Sequence, residues 1–252
     1  MSADTDLDHV ARLCERAQRI LFVTGAGISA DSGLPTYRGI GGLYDDTHTD
    51  EGVPIEVALS GTMMAERPDI TWKYLAQIEA NCRGAGPNRS HHAIARLGRE
   101  KERVLVFTQN VDGLHQRAGS DDVIELHGSI TRIVCSSDRR VAETWSEAGE
   151  TPPRCPDCDS YLRPDVVWFG EALPTQALHR AFQAAETCDL FLSVGTSALV
   201  HPAASLPFTA LERRTPTIEI NPDETPLTPH ATFVLPGPSG QILPALVAGL
   251  KN

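Results

Sequence analysis

The feature of this sequence that most limits its fold is a repeated arrangement in which a short apolar run ends at small or polar residues. Four runs have this form: residues 20–23 (Ile-Leu-Phe-Val), 104–107 (Val-Leu-Val-Phe), 190–194 (Leu-Phe-Leu-Ser-Val) and 217–220 (Thr-Ile-Glu-Ile). A shorter run, residues 123–126, ends at His127 and Gly128. Uninterrupted runs of this kind are typical of strands buried on both faces, as in a parallel sheet.

Stretches with helical periodicity precede the first run, at residues 8–19, and lie between later runs, as at residues 91–99 and 176–186. This alternation predicts an α/β fold with a doubly wound parallel sheet. Sheets of this class bind ligands beyond the carboxyl ends of their strands. Here those ends carry glycine, hydroxyl, amide and imidazole groups, so we expect the functional site at that edge.

Two stretches fit this sheet poorly. Residues 47–85 contain a helix-like span at 70–79, and residues 130–164 are polar and hold three cysteines. We interpret both as parts of a small module packed against the sheet within a single domain. The large part would then comprise approximately residues 1–46, 86–129 and 165–252.

The bulk properties exclude several classes of protein. No stretch has the length and apolar character of a transmembrane helix, and residues 1–9 are too acidic for a signal peptide, so we expect a cytoplasmic protein. A formal net charge of −11 argues against direct nucleic-acid binding and is compatible with basic peptide partners. Six cysteines are too few for a disulfide scaffold, so a Cys-x-x-Cys pair indicates a metal or redox site.

Residues 25–29 (Gly-Ala-Gly-Ile-Ser), directly after the first run, are typical of a phosphate-binding loop. The glycines allow close backbone approach, and the N-terminus of a following helix favours an anion. The loop departs from the dinucleotide fingerprint of dehydrogenases, because Ala30 replaces the third glycine and no acidic residue ends a second strand about 20 residues later. A plain turn is the alternative, which the longer motif over residues 25–38 makes weaker.

Residues 108–115 (Thr-Gln-Asn-Val-Asp-Gly-Leu-His) follow another predicted strand. An amide and a carboxylate in one loop can hold a ribose through its hydroxyls, and an Asx-turn connector is the alternative. His127 lies at the end of its strand among these polar loops. Imidazole titrates near neutrality and suits a general base, so His127 is our candidate, with His115 as its competitor.

Cys135 and the pair Cys155 and Cys158 have the spacing of an incomplete structural zinc site. A four-cysteine site would need a cysteine at Asp138, whose carboxylate offers an oxygen ligand instead. The alternative is a degenerate site that holds no metal.

Together these motifs resemble the sirtuin family over nearly the whole chain. In chain order they are residues 25–29, 33–38 (Gly-Leu-Pro-Thr-Tyr-Arg), 108–115, 127–128 (His-Gly), the cysteine module, 162–171 (Leu-Arg-Pro-Asp-Val-Val-Trp-Phe-Gly-Glu), 195–197 (Gly-Thr-Ser) and 220–222 (Ile-Asn-Pro). The resemblance implies a Rossmann-like sheet domain, a small zinc-ribbon and helical module, and NAD bound between them.

The resemblance also implies an NAD-dependent protein-lysine deacylase, or deacetylase. The acyl-lysine carbonyl oxygen would attack C1′ of the nicotinamide ribose and expel nicotinamide. A base would then activate a ribose hydroxyl, and deacylated lysine and O-acyl-ADP-ribose would leave.

Residue roles follow from the same resemblance. The catalytic residues would be His127 as the base, with Asn110 and Asp112. NAD would be bound by Gly25, Ala26, Gly27, Ser29, Asp31, Tyr37, Arg38, Gln109, Asn110, Asp112, Gly195, Thr196, Ser197 and Asn221. The acylated lysine and its peptide would contact Tyr74, Gln77, Val167, Trp168, Phe169 and Gly170, with residues 167–170 pairing with the peptide as an added strand. Zinc would be held by Cys135, Cys155 and Cys158.

The sequence departs from the family pattern at three places. Tyr37 replaces the usual phenylalanine, and the zinc quartet lacks one cysteine. Gln77 stands where the subset that removes acidic acyl groups has the arginine of a Tyr-x-x-Arg pair, so we expect a preference for neutral acyl groups.

Two other functions compete with deacylation. An NAD-dependent mono-ADP-ribosyltransferase or NAD hydrolase would use the same pocket, and the peptide segment at residues 167–170 favours the deacylase over both. A catalytically silent NAD-sensing module is the second rival, and intact His127, Asn110 and Asp112 argue against it.

Overall fold

A computed structural model describes residues 3–36, 49–142 and 152–249. The strands are β1 (Arg19–Thr24), β2 (Arg103–Thr108), β3 (Asp122–Glu125), β4 (Gly128–Cys135), β5 (Val141–Ala142), β6 (Leu162–Val166), β7 (Leu190–Val194), β8 (Thr217–Asn221) and β9 (Phe233–Pro236). The α-helices are α1 (Ala3–Arg16), α2 (Ile55–Ala58), α3 (Gly61–Glu66), α4 (Pro68–Gly84), α5 (Arg89–Glu100), α6 (Leu114–Arg117), α7 (Thr175–Thr187), α8 (Leu206–Glu212) and α9 (Ser239–Val247).

Six of the strands form one parallel sheet in the order β3-β2-β1-β7-β8-β9. The four apolar runs that predicted strands are β1, β2, β7 and β8. The shorter run is β3, which begins and ends one residue earlier than the run. The predicted doubly wound parallel sheet is therefore confirmed.

The helices cover both faces of this sheet because successive strand residues point in opposite directions. On β1, Ile20 and Phe22 face the core formed with α1, α5 and α9, while Leu21 and Val23 face the core formed with α7 and α8. Burial on both faces explains why the strands of this sheet are rich in apolar residues. None of the helices in the described part of the chain is long and apolar enough to cross a membrane.

A second, antiparallel sheet has the order β5-β4-β6. Helix α4 packs on it through Leu75 and Cys82, which meet Ile130 of β4 and Val166 of β6. These elements come from the two stretches that fitted the parallel sheet poorly. The antiparallel sheet starts at Gly128 and ends at Val166, two residues beyond the expected stretch on each side.

Candidate active site

Two glycine loops at the carboxyl edge of the parallel sheet pack backbone against backbone. A short 3-10 helix, Ala26–Ser32, follows β1, and the N–H of Gly27 donates to the carbonyl of Gly195 over 2.9 Å. A Cβ on Gly27 would lie 2.7 Å from the Gly195 Cα, and one on Gly25 would lie 2.8 Å from the Gly195 oxygen. Gly195 itself has a φ of 57°. Glycine is therefore required at these positions to bring the loops after β1 and β7 together.

A buried polar network joins this loop to the one after β2. The Ser29 hydroxyl donates to Oδ2 of Asp112 over 2.7 Å, and Nδ2 of Asn110 donates to the Gly25 carbonyl and to the Ser29 hydroxyl, both over 3.1 Å. Oδ1 of Asp112 accepts the N–H of Leu114 over 2.9 Å. The network holds Asn110 and Asp112 in fixed orientations beside the glycine loop.

One atom of this network has no partner within the described residues. Oδ1 of Asn110 is buried and accepts no hydrogen bond there. Leaving a buried acceptor unpaired costs about 1–3 kcal/mol, so the position suits a ligand that supplies a donor. Ser29, Asn110 and Asp112 also line the cleft described below. Amide and hydroxyl groups of a nicotinamide riboside would fit this combination of donors and acceptors.

A third connection reaches the loop after β7 and the last residue of β8. Nε2 of Gln109 donates to the Thr196 hydroxyl over 3.0 Å, and Nδ2 of Asn221 donates to the Thr196 carbonyl over 3.1 Å. Ser197 is half-buried beside Thr196. The strand ends thus bring Gln109, Thr196 and Asn221 together.

His127 follows β3 and is oriented by the backbone of the neighbouring loop. Its Nδ1 lies 2.8 Å from the Gln109 carbonyl oxygen. Because a carbonyl only accepts, Nδ1 must carry the proton, which leaves the Nε2 lone pair of the neutral ring available to accept one. Burial lowers the pKa of His127 below its ordinary value, and the hydrogen bond to Gln109 opposes this shift in part. The imidazole is therefore mainly neutral near pH 7.

His115, the competing candidate, lies in the interior and is only 1% exposed. Its Nε2 is 3.0 Å from the Thr24 hydroxyl, and its ring packs edge-on against His91. Burial lowers the pKa of His115 to about 3. These contacts make it a structural residue beneath the loop after β2.

A cleft separates the parallel sheet from α4. Its walls include Ala26, Ser29 and Asp112 on one side and residues of α4 on the other, namely Tyr74, Gln77, Ile78, Asn81 and Cys82. Tyr74 and Gln77, predicted as substrate residues, therefore face the same cleft as the predicted NAD residues. Ile78 and Asn81 were not singled out, although their spacing of four and seven residues from Tyr74 places them on the same face of a helix.

The Tyr74 hydroxyl is already engaged at the rim of this cleft. It donates to Oε2 of Glu51 over 2.5 Å and accepts the N–H of Asp50 over 3.0 Å. Lys73 donates to both carboxylates, each over 2.8 Å. Hydrogen bonds from Lys73 and Tyr74 lower the pKa of Glu51 to about 2, so this carboxylate is ionised.

The predicted peptide segment forms a turn rather than a continued strand. Strand β6 ends at Val166, and the N–H of Glu171 donates to the Trp168 carbonyl over 2.9 Å, with Gly170 at a φ of 86°. The N–H of Val167 donates to the His127 carbonyl over 2.9 Å. Trp168 is buried, whereas Phe169 is 45% exposed.

The three predicted metal ligands lie together. The sulfur atoms of Cys135, Cys155 and Cys158 are all within 4.8 Å of one another, a spacing that suits thiolates around one zinc ion. Among the described residues, Asp138 is not part of this cluster. Its carboxylate accepts hydrogen bonds from the backbone and side chain of Arg140.

Of the predicted NAD residues, Asp31 points away from the cleft, and two others cannot be placed. The Asp31 carboxylate lies against the first turn of α9, where a Cβ on Gly240 would be 2.1 Å from its Oδ2. Tyr37 and Arg38 lie outside the described residues.

Comparison with known proteins identifies the family of this chain. The Sir2 family model matches residues 25–202, more than half of the chain. The chain belongs to the Sir2 family. It is 44% identical over 234 residues to NAD-dependent protein deacylase 1 of Archaeoglobus fulgidus, covering 92% of this chain and 93% of that one. It is 40% identical over 253 residues to NAD-dependent protein deacylase 2 of Pseudomonas aeruginosa, covering 98% of each.

Solved Sir2 structures share the fold. A complex of a Sir2 homolog with NAD is 41% identical, has a TM-score of 0.87 and covers 96% of this chain and 92% of its own. A Sir2 complex with a p53 peptide and NAD⁺ is 29% identical, has a TM-score of 0.83 and covers 98% of each chain.

Proposed function

We propose that this Sir2-family chain is an NAD-dependent protein-lysine deacylase, which transfers the acyl group of a modified lysine to ADP-ribose and releases nicotinamide. The observation that carries the proposal is the setting of His127. Its Nδ1 is bound to the Gln109 carbonyl, so the neutral ring presents Nε2 as a base beside the loop that holds Asn110 and Asp112. The names of the relatives support the same activity.

NAD would lie along the carboxyl edge of the parallel sheet. Gly25, Ala26, Gly27 and Ser29 would approach it from the loop after β1, Gly195, Thr196 and Ser197 from the loop after β7, and Asn221 from β8. Gln109, Asn110 and Asp112 would bind the nicotinamide ribose, and the unpaired Oδ1 of Asn110 would accept a donor from it. Bound NAD supplies an electrophilic C1′ and a leaving group, nicotinamide.

The chain's own contribution to the chemistry is to move one proton. Nε2 of His127 would accept the proton of a ribose hydroxyl, which makes that oxygen the nucleophile toward the acyl carbon. The Gln109 carbonyl stabilises the resulting imidazolium through the Nδ1 proton. A base with a pKa below the working pH is already deprotonated when substrate arrives.

The acylated lysine would enter the cleft between the sheet and α4. Tyr74 and Gln77 line this cleft, and the turn containing Val167, Trp168, Phe169 and Gly170 would bind the peptide main chain. The exposed ring of Phe169 offers an apolar surface for the lysine stem. Zinc at Cys135, Cys155 and Cys158 would hold the small module together.

We place the protein in the cytoplasm, with acylated lysines in basic segments of other proteins as its substrates. We expect no direct contact with nucleic acid, since the net charge is −11.

One assay tests the reaction class. Purified protein is incubated with NAD and a panel of acyl-lysine peptides, and the products are identified by mass. O-acyl-ADP-ribose and nicotinamide in equal amounts are expected. ADP-ribose without an acyl group would instead indicate an NAD hydrolase, and a peptide or protein that gains ADP-ribose would indicate a mono-ADP-ribosyltransferase.

A further inference from the structure

Arg163 and Glu171 form a two-pronged ion pair beneath the turn at residues 168–171. Nη1 of Arg163 donates to Oε1 of Glu171 over 2.6 Å, and Nη2 donates to Oε2 over 2.9 Å. Nη2 also donates to the Val166 carbonyl over 2.7 Å. Because only 8% of the Arg163 side chain is exposed, the guanidinium is held in one geometry and is shielded from solvent.

The same two residues hold Trp168 at three points. Oε2 of Glu171 accepts the Trp168 N–H over 3.0 Å, and the Glu171 N–H donates to the Trp168 carbonyl over 2.9 Å. The Arg163 guanidinium lies 3.5 Å from the centre of the Trp168 ring. Backbone and ring of this residue are therefore fixed by charged groups as well as by packing.

The neighbouring Phe169 is held mainly through its backbone, whose N–H donates to the Leu59 carbonyl over 3.4 Å. Its ring is 45% exposed, so burial of its side chain contributes little to holding the turn. On the other side, the N–H of Val167 donates to the His127 carbonyl.

We propose that the Arg163–Glu171 ion pair is a positioning device that fixes the turn at residues 168–171 in the conformation that receives the substrate peptide. It sets the affinity for the peptide while leaving the NAD loops untouched. Neither residue contacts the reacting atoms. This inference rests on the deacylase function proposed above.

The test compares Glu171→Gln with a matched control, Asp189→Asn. Asp189 also pairs with an arginine, Arg19, and accepts backbone N–H groups, but it lies at the opposite, amino end of the sheet. The dissociation constant of a labelled acetyl-lysine peptide is measured by fluorescence anisotropy, that of NAD by calorimetry, and KM for both by steady-state kinetics.

Glu171→Gln should weaken peptide binding and raise the peptide KM about tenfold, equivalent to about 1.4 kcal/mol, with NAD affinity unchanged. Asp189→Asn should leave both affinities as in the wild type. Equal effects of the two variants, or a parallel loss of peptide and NAD affinity, would overturn the proposal in favour of a merely structural ion pair.

The test also includes a replacement variant and a measurement of wild-type activity. If circular dichroism shows that Glu171→Gln is unfolded, Arg163→Lys replaces it as the test variant. Lysine keeps the positive charge but cannot form the bidentate contact of a guanidinium, so the same rise in peptide KM is expected. A wild type that forms no O-acyl-ADP-ribose with any peptide contradicts the deacylase function itself. An active wild type with an unaffected Glu171→Gln variant contradicts only the positioning role.

Discussion

The hydrogen bond between His127 and the Gln109 carbonyl fixes which ring nitrogen is free, and this has a measurable consequence. His127→Ala should retain NAD binding and lose at least ~100-fold in turnover, the scale expected for removing a general base. Product formation and NAD affinity are measured on the same preparation. The exposed His179 provides the control, and His179→Ala should match the wild type. Near-normal turnover in His127→Ala would end the assignment.

The pH dependence follows from the direction of the pKa shift. Burial lowers the pKa of His127 below 6.5, so the imidazole remains neutral, and able to accept a proton, at pH values where an exposed histidine is half protonated. The acidic limb of the kcat/KM profile should therefore lie below pH 6.5. An acidic limb at or above that value would show that another group controls the rate.

We expect a few side chains on α4 to set the acyl preference. A succinyl carboxylate must be desolvated on entering the cleft, which is costly unless a cation meets it. Gln77 carries no charge, the Tyr74 hydroxyl is bound to Glu51, and Lys73 is held by Asp50 and Glu51. The acetyl form of one peptide should exceed its succinyl form by at least ~10-fold in kcat/KM.

Two substitutions at Gln77 test whether a positive charge, rather than a change of side-chain shape, raises the rate on the succinyl peptide. Gln77→Arg should raise the relative rate on the succinyl peptide, because arginine offers a permanent, two-pronged partner for the carboxylate. Gln77→Leu is the neutral control and should not raise it. Equal wild-type rates on the two peptides would contradict this account of the cleft.

Among the structural elements, the loops after β1 and β7 are the most sensitive to added volume. In Gly27→Ala the new Cβ would lie 2.7 Å from the Gly195 Cα, so the backbone must shift, at a cost of about 1–3 kcal/mol. Gly98 in α5 is the matched control, since a Cβ there meets nothing within 4 Å. Gly98→Ala should stabilise the protein by about 0.5–1 kcal/mol. Urea denaturation measures both, and a stable Gly27→Ala variant would show that the loops can separate.

The small antiparallel sheet should depend on its cysteine cluster. Metal analysis should find up to one zinc per chain, and Cys155→Ser should lose it and lower the melting temperature before it affects the chemistry. Cys188 is a suitable control because it is buried between α7 and β7, away from the cluster. A metal-free wild type that is fully active and melts at the same temperature as the zinc-containing protein would refute a structural zinc site.

Some of the strands could be predicted from the sequence and others could not. Strands β1, β2, β7 and β8 were predicted because burial on both faces makes them rich in apolar residues. Strand β9 is short and only partly buried, so its apolar run carried too little signal. Strand β4 has a register shift between Ser129 and Ile133, and β6 contains an arginine, a proline and an aspartate. Neither has a simple alternating pattern.

The whole molecule carries a net charge of −11, which should appear in the salt dependence of substrate binding. For acetyl-lysine peptides with basic flanking residues, KM should rise as ionic strength increases from about 0.05 to 0.2 M, because salt screens the attraction. For the same peptide with acidic flanks, KM should fall. Identical salt responses would show that the overall charge does not influence peptide binding.

For the whole molecule, the sequence predicted the edge of the sheet that carries the candidate site, but not the contacts within it. Parallel strands place their carboxyl ends at one edge, so the contact between the loops that hold Gln109 and Thr196 could be expected. The Arg163–Glu171 ion pair could not be predicted, because an ion pair across a turn produces no periodic pattern in the sequence. Glu51 was missed for a similar reason, since it lies far along the chain from its partner Tyr74.

The proposed NAD site draws its residues from the loops after β1, β2, β3 and β7 and from the end of β8, spanning Gly25 to Asn221. No partly folded chain with some of these strands unpaired can present the complete site. NAD would therefore bind only the fully folded sheet. At a concentration 100 times its dissociation constant, it would raise the free energy of unfolding by about 2.7 kcal/mol. The rate at which a protease cleaves the chain should then fall as the NAD concentration rises.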